Sequence, residues 1–399
     1  MPATGSAPLL PVGEAQARLL AMAGPLETET VPLAAATGRW TGQDIAALRT
    51  QPALDLSAMD GYAIRHADMP GPWTIIGESA AGAGFEGSVG TGEAVRIYTG
   101  APMPSGADCV VIQEEVARDG NHLALTGEGP GKVGRNVRPA GNDFAEGRII
   151  LPAGTRITPR HVALTALAGH GALPLPRLPR IALLSTGSEL VPPGENTRPD
   201  QLPASNAVML GAMLASLPCI AEDRGIIADD LSALTHCLAH LTDRDIIVST
   251  GGASVGDHDL VKPALEAAGG AIDFWKIRMR PGKPLICGRL GKAIFLGLPG
   301  NPVSAFVTAH LFLLPLVRHM AGCPAPLPEQ HEATLGIDIP ASGARDDYLR
   351  AEMRDGRAYP LAGQDSAATF GLAQAAGLIL RPASCAPAKA RETVTFLPF

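Results

Sequence analysis

Apolar and polar positions divide this chain into stretches of different rhythm. Ala15, Leu19 and Met22 fall on one face of a helix predicted over 12–23. Residues 27–39 read as extended. From about 73 to 150 glycines are dense and the apolar stretches are short (73–76, 94–98, 109–114), which predicts a β domain. Thr158-Pro159 then supplies an N-cap and a first-turn proline for a helix running to about Gly169. The proline-rich segment 173–179 reads as a linker. From 180 to 320 the rhythm alternates. Strands are expected at 181–185, 220–227, 246–249, 272–279 and 293–298, and helices at 206–217, 231–241, 259–268 and 303–320. Leu231, Leu234, Leu238 and Leu241 form the apolar stripe of the second of these helices, and Pro302 fits the start of the last. Such alternation predicts a mostly parallel sheet covered on both faces. A second proline-rich linker, 323–328, precedes a small β domain with one short helix near 367–376. The expected fold class is multidomain α/β plus β.

Composition narrows the partners. The chain has 399 residues, 46% hydrophobic and 18% charged, enough to bury sizeable cores. Only 4% is aromatic, which argues against a surface that stacks bases. A net charge of −7 gives no basic footprint for nucleic acid. The six cysteines are scattered without a C-x-x-C pair, and read as reduced core thiols of a cytoplasmic protein. The first residues show neither a basic n-region nor a long apolar core, so no signal peptide is expected. The longest apolar run, 311–317, is short for a bilayer and contains Pro315, so no membrane span is expected.

Candidate chemistry centres on 246–262. Ile246, Ile247 and Val248 have the composition of a buried strand, which breaks at Ser249-Thr250-Gly251-Gly252 and is followed by Asp257, His258 and Asp259. An ordinary strand-to-helix turn has the same pattern. Two other strands, however, end alike, in Thr186-Gly187-Ser188-Glu189 and in Pro299-Gly300-Asn301-Pro302. In a parallel sheet these turns share one edge, where helix N-termini present free N–H groups to phosphate or another oxyanion. Asp229 and Asp230 join that edge, with a helix N-cap as the competing reading for one or both.

Lys276, Arg278, Arg280 and Lys283 put four cations into eight residues. Strand alternation would set the first three on one face, with Lys283 past a Pro-Gly turn. Beside turns suited to anions, the cluster reads as an oxyanion pocket rather than a solvated face. Carboxylates at such an edge hold a divalent ion such as magnesium, and the cations neutralise developing phosphate charge. The combination suits cleavage or transfer at a phosphate ester or anhydride. There is no P-loop and no H-E-x-x-H motif. His236 and His240 are four apart on a predicted helix but lack an evident third ligand. Ser185, Ser249 and Ser304 lack the context of a nucleophile elbow and are expected to bond backbone or phosphate.

Six motifs, taken in order, resemble the molybdopterin molybdenumtransferase family and the C-terminal domain of gephyrin. They are Ser57-Ala58-Met59-Asp60-Gly61-Tyr62-Ala63, Tyr98-Thr99-Gly100-Ala101-Pro102, Ser185-Thr186-Gly187, Ser249-Thr250-Gly251-Gly252 with Ser254-Val255-Gly256, Arg280-Pro281-Gly282-Lys283-Pro284 and Leu298-Pro299-Gly300-Asn301-Pro302. The resemblance implies insertion of molybdenum from molybdate into adenylated molybdopterin, with release of AMP and support from magnesium. It implies four domains: a linker domain from two stretches (1–50 and 145–175), a β-rich insertion (51–144), a molybdopterin-binding three-layer α/β domain (176–325) and a C-terminal β-barrel (326–399). It also implies a homodimer, with hand-over from a molybdopterin adenylyltransferase and onward to molybdoenzyme maturation proteins.

Carried over residue by residue, the family's acidic site residues match Asp60, Asp143, Glu189, Asp229 and Asp259, of which Asp259, Asp229 and Glu189 are the candidate metal ligands. Its cationic residues match Lys276, Arg280 and Lys283. Thr99, Gly100, Thr186, Gly187, Ser249, Thr250, Gly251, Gly252, Pro299, Pro302 and Ser366 complete the substrate-binding set. Ser188 stands where the family often has Asp, and Arg280 where it often has Lys. Two readings compete with the enzyme: a non-catalytic gephyrin-like scaffold, and nucleotide chemistry of the molybdopterin adenylyltransferase type.

Overall fold

The computed structural model describes residues 9–252 and 260–399; Asp257, His258 and Asp259 lie outside the described residues. Its central sheet has six strands in the order Ile220–Ile227, Arg180–Thr186, Ile246–Thr250, Ala293–Leu298, Ile286–Leu290, Ala271–Trp275. The first four run parallel, and Ile286–Leu290 runs antiparallel to both neighbours. That fifth strand escaped the sequence reading because Gly288 and Arg289 interrupt its short apolar run. Alternate residues feed two cores. Ile181, Leu183, Ile246, Val248 and Leu296 face one, while Ala182, Leu184, Ile247 and Phe295 face the other with Leu234, Leu238, Val261 and Leu265. Burial on both faces is why these strands read as unbroken apolar runs, each large side chain contributing about 1.5–3 kcal/mol.

The first core is closed by two helical segments. Pro302–Thr308 and Leu314–Met320 are α-helical, joined by a π turn at Ala309–Leu313. Pro315 has no N–H to give the carbonyl of Leu311. Gln16 Nε2 donates to that carbonyl instead, at 2.8 Å. The helix Val12–Ala21, grouped with the linker in the sequence, therefore packs on the α/β core through Val12, Ala15 and Leu19. The 19-residue run Pro302–Met320 is long and apolar enough to cross a membrane by length and composition, more than the 311–317 run suggested, but 83% of its most apolar window is buried inside the protein.

Before and after the insertion, the chain meets itself. Thr28–Pro32 pairs antiparallel with Ala172–Pro176, so part of the expected linker at 173–179 is a strand. Pro174 and Pro176 are tolerated there because this sheet has only two strands. The helix Pro159–Leu167 begins where expected, with the N–H of Thr158 donating to His161 Nδ1 at 3.2 Å. The insertion itself forms a six-stranded sheet in the order Cys109–Ile112, Gly61–Ile64, Glu93–Ile97, Trp73–Ser79, His122–Leu125, Val116–Asp119.

The C-terminal sheet runs Asp346–Arg354, Arg357–Pro360, His331–Leu335, Thr393–Pro398, Gly377–Arg381, and the last strand pairs back on the first to close a ring. A two-residue strand, Met279–Arg280, adds to it in parallel at Asp346 and Asp347. The expected strand 272–279 is therefore two pieces in two sheets. Ala271–Trp275 ends, Lys276 takes a left-handed φ of 71°, and the chain crosses to the ring. Simple alternation of Lys276, Arg278 and Arg280 on one face does not survive that break.

Candidate functional site

A cleft of about 1010 Å³ separates the carboxyl ends of the parallel strands from the C-terminal ring. The three turns singled out in the sequence lie along it: Thr186, Gly187 and Glu189, then Thr250, Gly251 and Gly252, then Pro299, Gly300, Asn301 and Pro302. Their order follows the order of their strands in the sheet. Thr186 and Thr250 are buried, and Thr186 Oγ1 donates to the Thr250 carbonyl at 3.3 Å. Gly251 has φ 93°, and a Cβ there would stand 2.3 Å from the Thr186 carbonyl oxygen. The two turns approach each other this closely only because that position carries no side chain.

Acids gather at the end nearest the edge strand Ile220–Ile227. Asp229 Oδ2 accepts the Ser188 N–H at 3.0 Å, which joins the first turn to the loop after that strand. Glu189 and Asp229 both line the cleft. The ambiguity over the acid pair resolves: Asp230 Oδ1 accepts the Ala233 N–H at 2.8 Å and caps the helix Leu231–Ala239, leaving Asp229 for the cleft. Asn206 anchors the floor by donating to the Gly300 carbonyl at 2.7 Å, while its buried Oδ1 has no partner among the described residues.

Cations gather at the other end, with the ring. Arg280 and Lys283 line the cleft on either side of a Pro-Gly turn. Gly282 has φ 99°, and a Cβ there would lie 2.5 Å from Thr308 Cγ2, so the turn sits hard against the core helix. Arg278 turns away to Asp346, 3.8 Å distant. Arg345, from the segment entering the ring, also lines the cleft. Lys283 and Arg345 make no ion pair with any described residue. Arg345 was missed in the sequence because it stands in a polar stretch with no periodic or turn signal; only the pairing of Met279–Arg280 with the ring brings it here.

Ser366 reaches the cleft from a ring loop. Its Oγ accepts from Asn301 Nδ2 at 2.9 Å, and its carbonyl accepts the Val303 N–H at 3.2 Å, at the start of the core helix. Arg350, 1% exposed, organises that loop: Nη1 donates to the Ala368 carbonyl at 2.7 Å, and Nη2 to the carbonyls of Gly363 and Asp365 at 2.9 and 2.8 Å. Burial lowers the pKa of this guanidinium, and the nearby Asp365 opposes the shift. Gln364 closes the arrangement, accepting the Arg350 N–H and donating to its carbonyl, both at 3.0 Å.

Other expected residues are not brought together here. Asp60, Thr99, Gly100 and Asp143 belong to the insertion and do not line the cleft. Asp60 Oδ1 accepts from the Thr99 N–H at 2.7 Å and from its hydroxyl at 2.8 Å, and these bonds, the backbone one first, hold its pKa below the usual carboxylate value. Lys276 lies off the cleft, its carbonyl accepting the Leu10 N–H at 3.3 Å. Ser249 is buried behind its turn, with no hydrogen-bond partner for Oγ among the described residues. The rings of His236 and His240 lie 4.4 Å apart, tilted by 48°, and no group of three or more potential metal ligands occurs among the described residues.

Acids at one end of a parallel-sheet edge, cations at the other and main-chain turns between them make a cleft suited to an extended, phosphorylated ligand, the mark of a ligand-binding α/β protein. Comparison with known proteins makes this specific. Family profiles match in order: the MoeA N-terminal region (domain I and II) over residues 10–169, a probable molybdopterin binding domain over 182–319, and the MoeA C-terminal region (domain IV) over 332–399. The molybdopterin molybdenumtransferase of Haemophilus influenzae is 35% identical, over 79% of this chain and 78% of that protein. That of Bacillus subtilis is 30% identical, over 97% and 94%. The crystal structure of a molybdopterin biosynthesis MoeA protein from Pyrococcus horikosii superimposes with a TM-score of 0.87 at 27% identity, covering 98% of this chain and 99% of that one. The chain belongs to the molybdopterin molybdenumtransferase family.

Proposed function

We propose that this protein inserts molybdenum from molybdate into adenylated molybdopterin, releasing AMP and giving molybdenum cofactor. The polarity of the cleft carries the reading: Glu189 and Asp229 stand at one end, and Arg280, Lys283, Arg345 and Ser366 at the other. The substrate's diphosphate lies against Thr186-Gly187 and Thr250-Gly251-Gly252, whose main chain takes non-bridging oxygens. Molybdate, an oxyanion, sits at the cationic end beside Ser366 and the turn Pro299–Pro302, next to the pterin dithiolene.

Magnesium fits this arrangement. It takes one or two carboxylates and completes its shell with water and substrate phosphate, and Glu189 and Asp229 supply that number. Bound there, it would screen the diphosphate's charge. Asp259, outside the described residues, enters as a third candidate ligand on the resemblance alone. Asp60, Asp143, Thr99, Gly100, Ser249 and Lys276 enter the reading on the same basis.

The reading divides the chain into a linker of two stretches, 1–50 and 145–175, an insertion, 51–144, an α/β domain, 176–325, and a barrel, 326–399. It takes the protein to work in the cytoplasm as a homodimer, receiving its pterin from an adenylyltransferase and passing the product to molybdoenzyme maturation proteins. The test is incubation with adenylated molybdopterin and magnesium, with and without molybdate, following AMP and active cofactor together. Both should appear only with molybdate. AMP release indifferent to molybdate would indicate a nucleotide hydrolase, and no release would favour the scaffold.

A further inference from the structure

The crossing that brings Arg280 and Lys283 to the cleft, residues 276–283, has little structure of its own. It leaves the central sheet after Ala271–Trp275, turns at Lys276 and Gly282, with φ of 71° and 99°, and gives only the two-residue strand Met279–Arg280 to the ring. A segment with so few internal bonds takes its place from its neighbours. One neighbour is the ring: the Arg278 carbonyl accepts the Asp346 N–H at 3.0 Å, and the pairing continues to Arg280 and Asp347. The other is Leu10. Its N–H donates to the Lys276 carbonyl at 3.3 Å, its carbonyl accepts the Arg278 N–H at 2.8 Å, and it bridges Ile277 in parallel.

We propose that Leu10 is a positioning residue for the cationic end of the cleft, a brace across the root of the loop that carries Arg280 and Lys283. The inference rests on the function proposed above, which puts molybdate at that end, and adds a residue that acts on the site only through others.

The brace is itself fixed. Leu10 packs against the first core, and two residues on begins the helix Val12–Ala21, seated by Val12, Ala15 and Leu19 and tied by Gln16 to the core helix. What it holds is partly enclosed. Ile277 and Met279, on either side of Arg278, are fully buried, so the Arg278 N–H deprived of the Leu10 carbonyl would be costly to leave unbonded. The hold also reaches the cleft. The Ile277 N–H donates to the Lys283 carbonyl at 2.9 Å, closing the loop at its root. A displaced Ile277 therefore moves Lys283 through one hydrogen bond and Arg280 through the chain between them. The acid end draws nothing from this loop, because Asp229 is joined to the Ser188 turn beside the edge strand at the other side of the sheet. Loosening the brace thus acts on one end of the cleft.

The test uses the intact protein, with molybdate and AMP as separate probes. Leu10→Gly removes the packed side chain and frees the main chain, whereas Leu10→Ile keeps an apolar side chain suited to an extended segment. Calorimetry should find Leu10→Gly binding molybdate about fivefold more weakly and AMP unchanged. Its KM for molybdate in AMP release should rise by about the same factor, with kcat held within about twofold. Leu10→Ile should restore parental values. Leu10→Pro deletes the N–H to Lys276, and as a second variant it should show the same split if Leu10→Gly does not fold. Unchanged molybdate affinity, or equal weakening of molybdate and AMP, overturns the assignment. Molybdate-dependent AMP release by the unmodified protein separates the two claims. If release is present and the variants bind molybdate as the parent does, the brace alone falls; if release is absent, the function and the role built on it fall together.

Discussion

Arg280 lays its guanidinium fork on Asp347: Nε stands 2.9 Å from Oδ1, and Nη2 donates to Oδ2 at 3.4 Å. One residue comes from the loop that leaves the central sheet, the other from the ring it crosses to. A cation that the sequence offered for the anion pocket is thus already partly neutralised, by the buried Asp347. Lys283 and Arg345, which make no ion pair with any described residue, carry the rest of the positive charge there. Asp347→Asn keeps the shape and removes the negative charge. Relief of about 1 kcal/mol at such a partly exposed site corresponds to roughly fivefold. The KM for molybdate should fall by about that factor in steady-state assays, and a rise would mean that Asp347 matters chiefly for holding Arg280 in place.

Arg350 acts on the cleft through the loop it holds. Lysine keeps the charge but cannot span three carbonyls, each hydrogen bond to a charged donor being worth about 1.5–3 kcal/mol. Arg350→Lys should raise the KM for molybdate about tenfold, through misplacement of Ser366, and leave AMP binding unchanged. Titration with each ligand by calorimetry checks the split. Equal weakening of both would point to a general loss of folding.

Gly251→Ala should be far more damaging than its size suggests. The new Cβ would meet the Thr186 carbonyl at 2.3 Å, with backbone at a φ that alanine resists. Relieving the clash parts two central strands at their ends. A loss of about 2–4 kcal/mol is expected in urea unfolding. AMP affinity should fall with it, even where the folded form is still fully populated.

His310 should couple stability to pH. It is buried on the core helix between the rings of Phe306 and Phe399, and its Nε2 has no partner among the described residues. Burial, and then the charge of Arg318, lowers its pKa from 6.5 to about 4. Between those values the unfolded chain binds a proton that the native state refuses. Its contribution is therefore whole above 6.5, shrinks as pH falls toward 4 and levels off below. The full difference is on the order of 3 kcal/mol. His310→Phe should flatten that part of the pH profile of urea unfolding, measured against the parent at each pH.

Much of the site was legible because it is local. An apolar run and its glycine turn occupy fewer than about ten residues, and Thr186-Gly187, Thr250-Gly251 and Pro299-Gly300 each announce one strand end. Their meeting on one edge follows once the sheet is taken as parallel. What was not legible is long-range. Nothing near Lys276 signals that the chain leaves one sheet for another, because the reason is a pairing with residues 346–347. Arg345, Arg350 and Gln364 acquire their places through the same crossing. The helix Val12–Ala21 was found, but its apolar stripe says that it packs and not on what, and only the fold shows it against the core of the central sheet.

The C-terminal ring has a further consequence. Because Gly377–Arg381 bonds to both Asp346–Arg354 and Thr393–Pro398, the circuit of five strands has no terminal member with one whole side unpaired. An intruding strand from another chain finds no row of open amides to extend, which is the usual beginning of runaway sheet growth. Along the described strands of that circuit, copies of this protein would meet through side chains rather than by adding a strand.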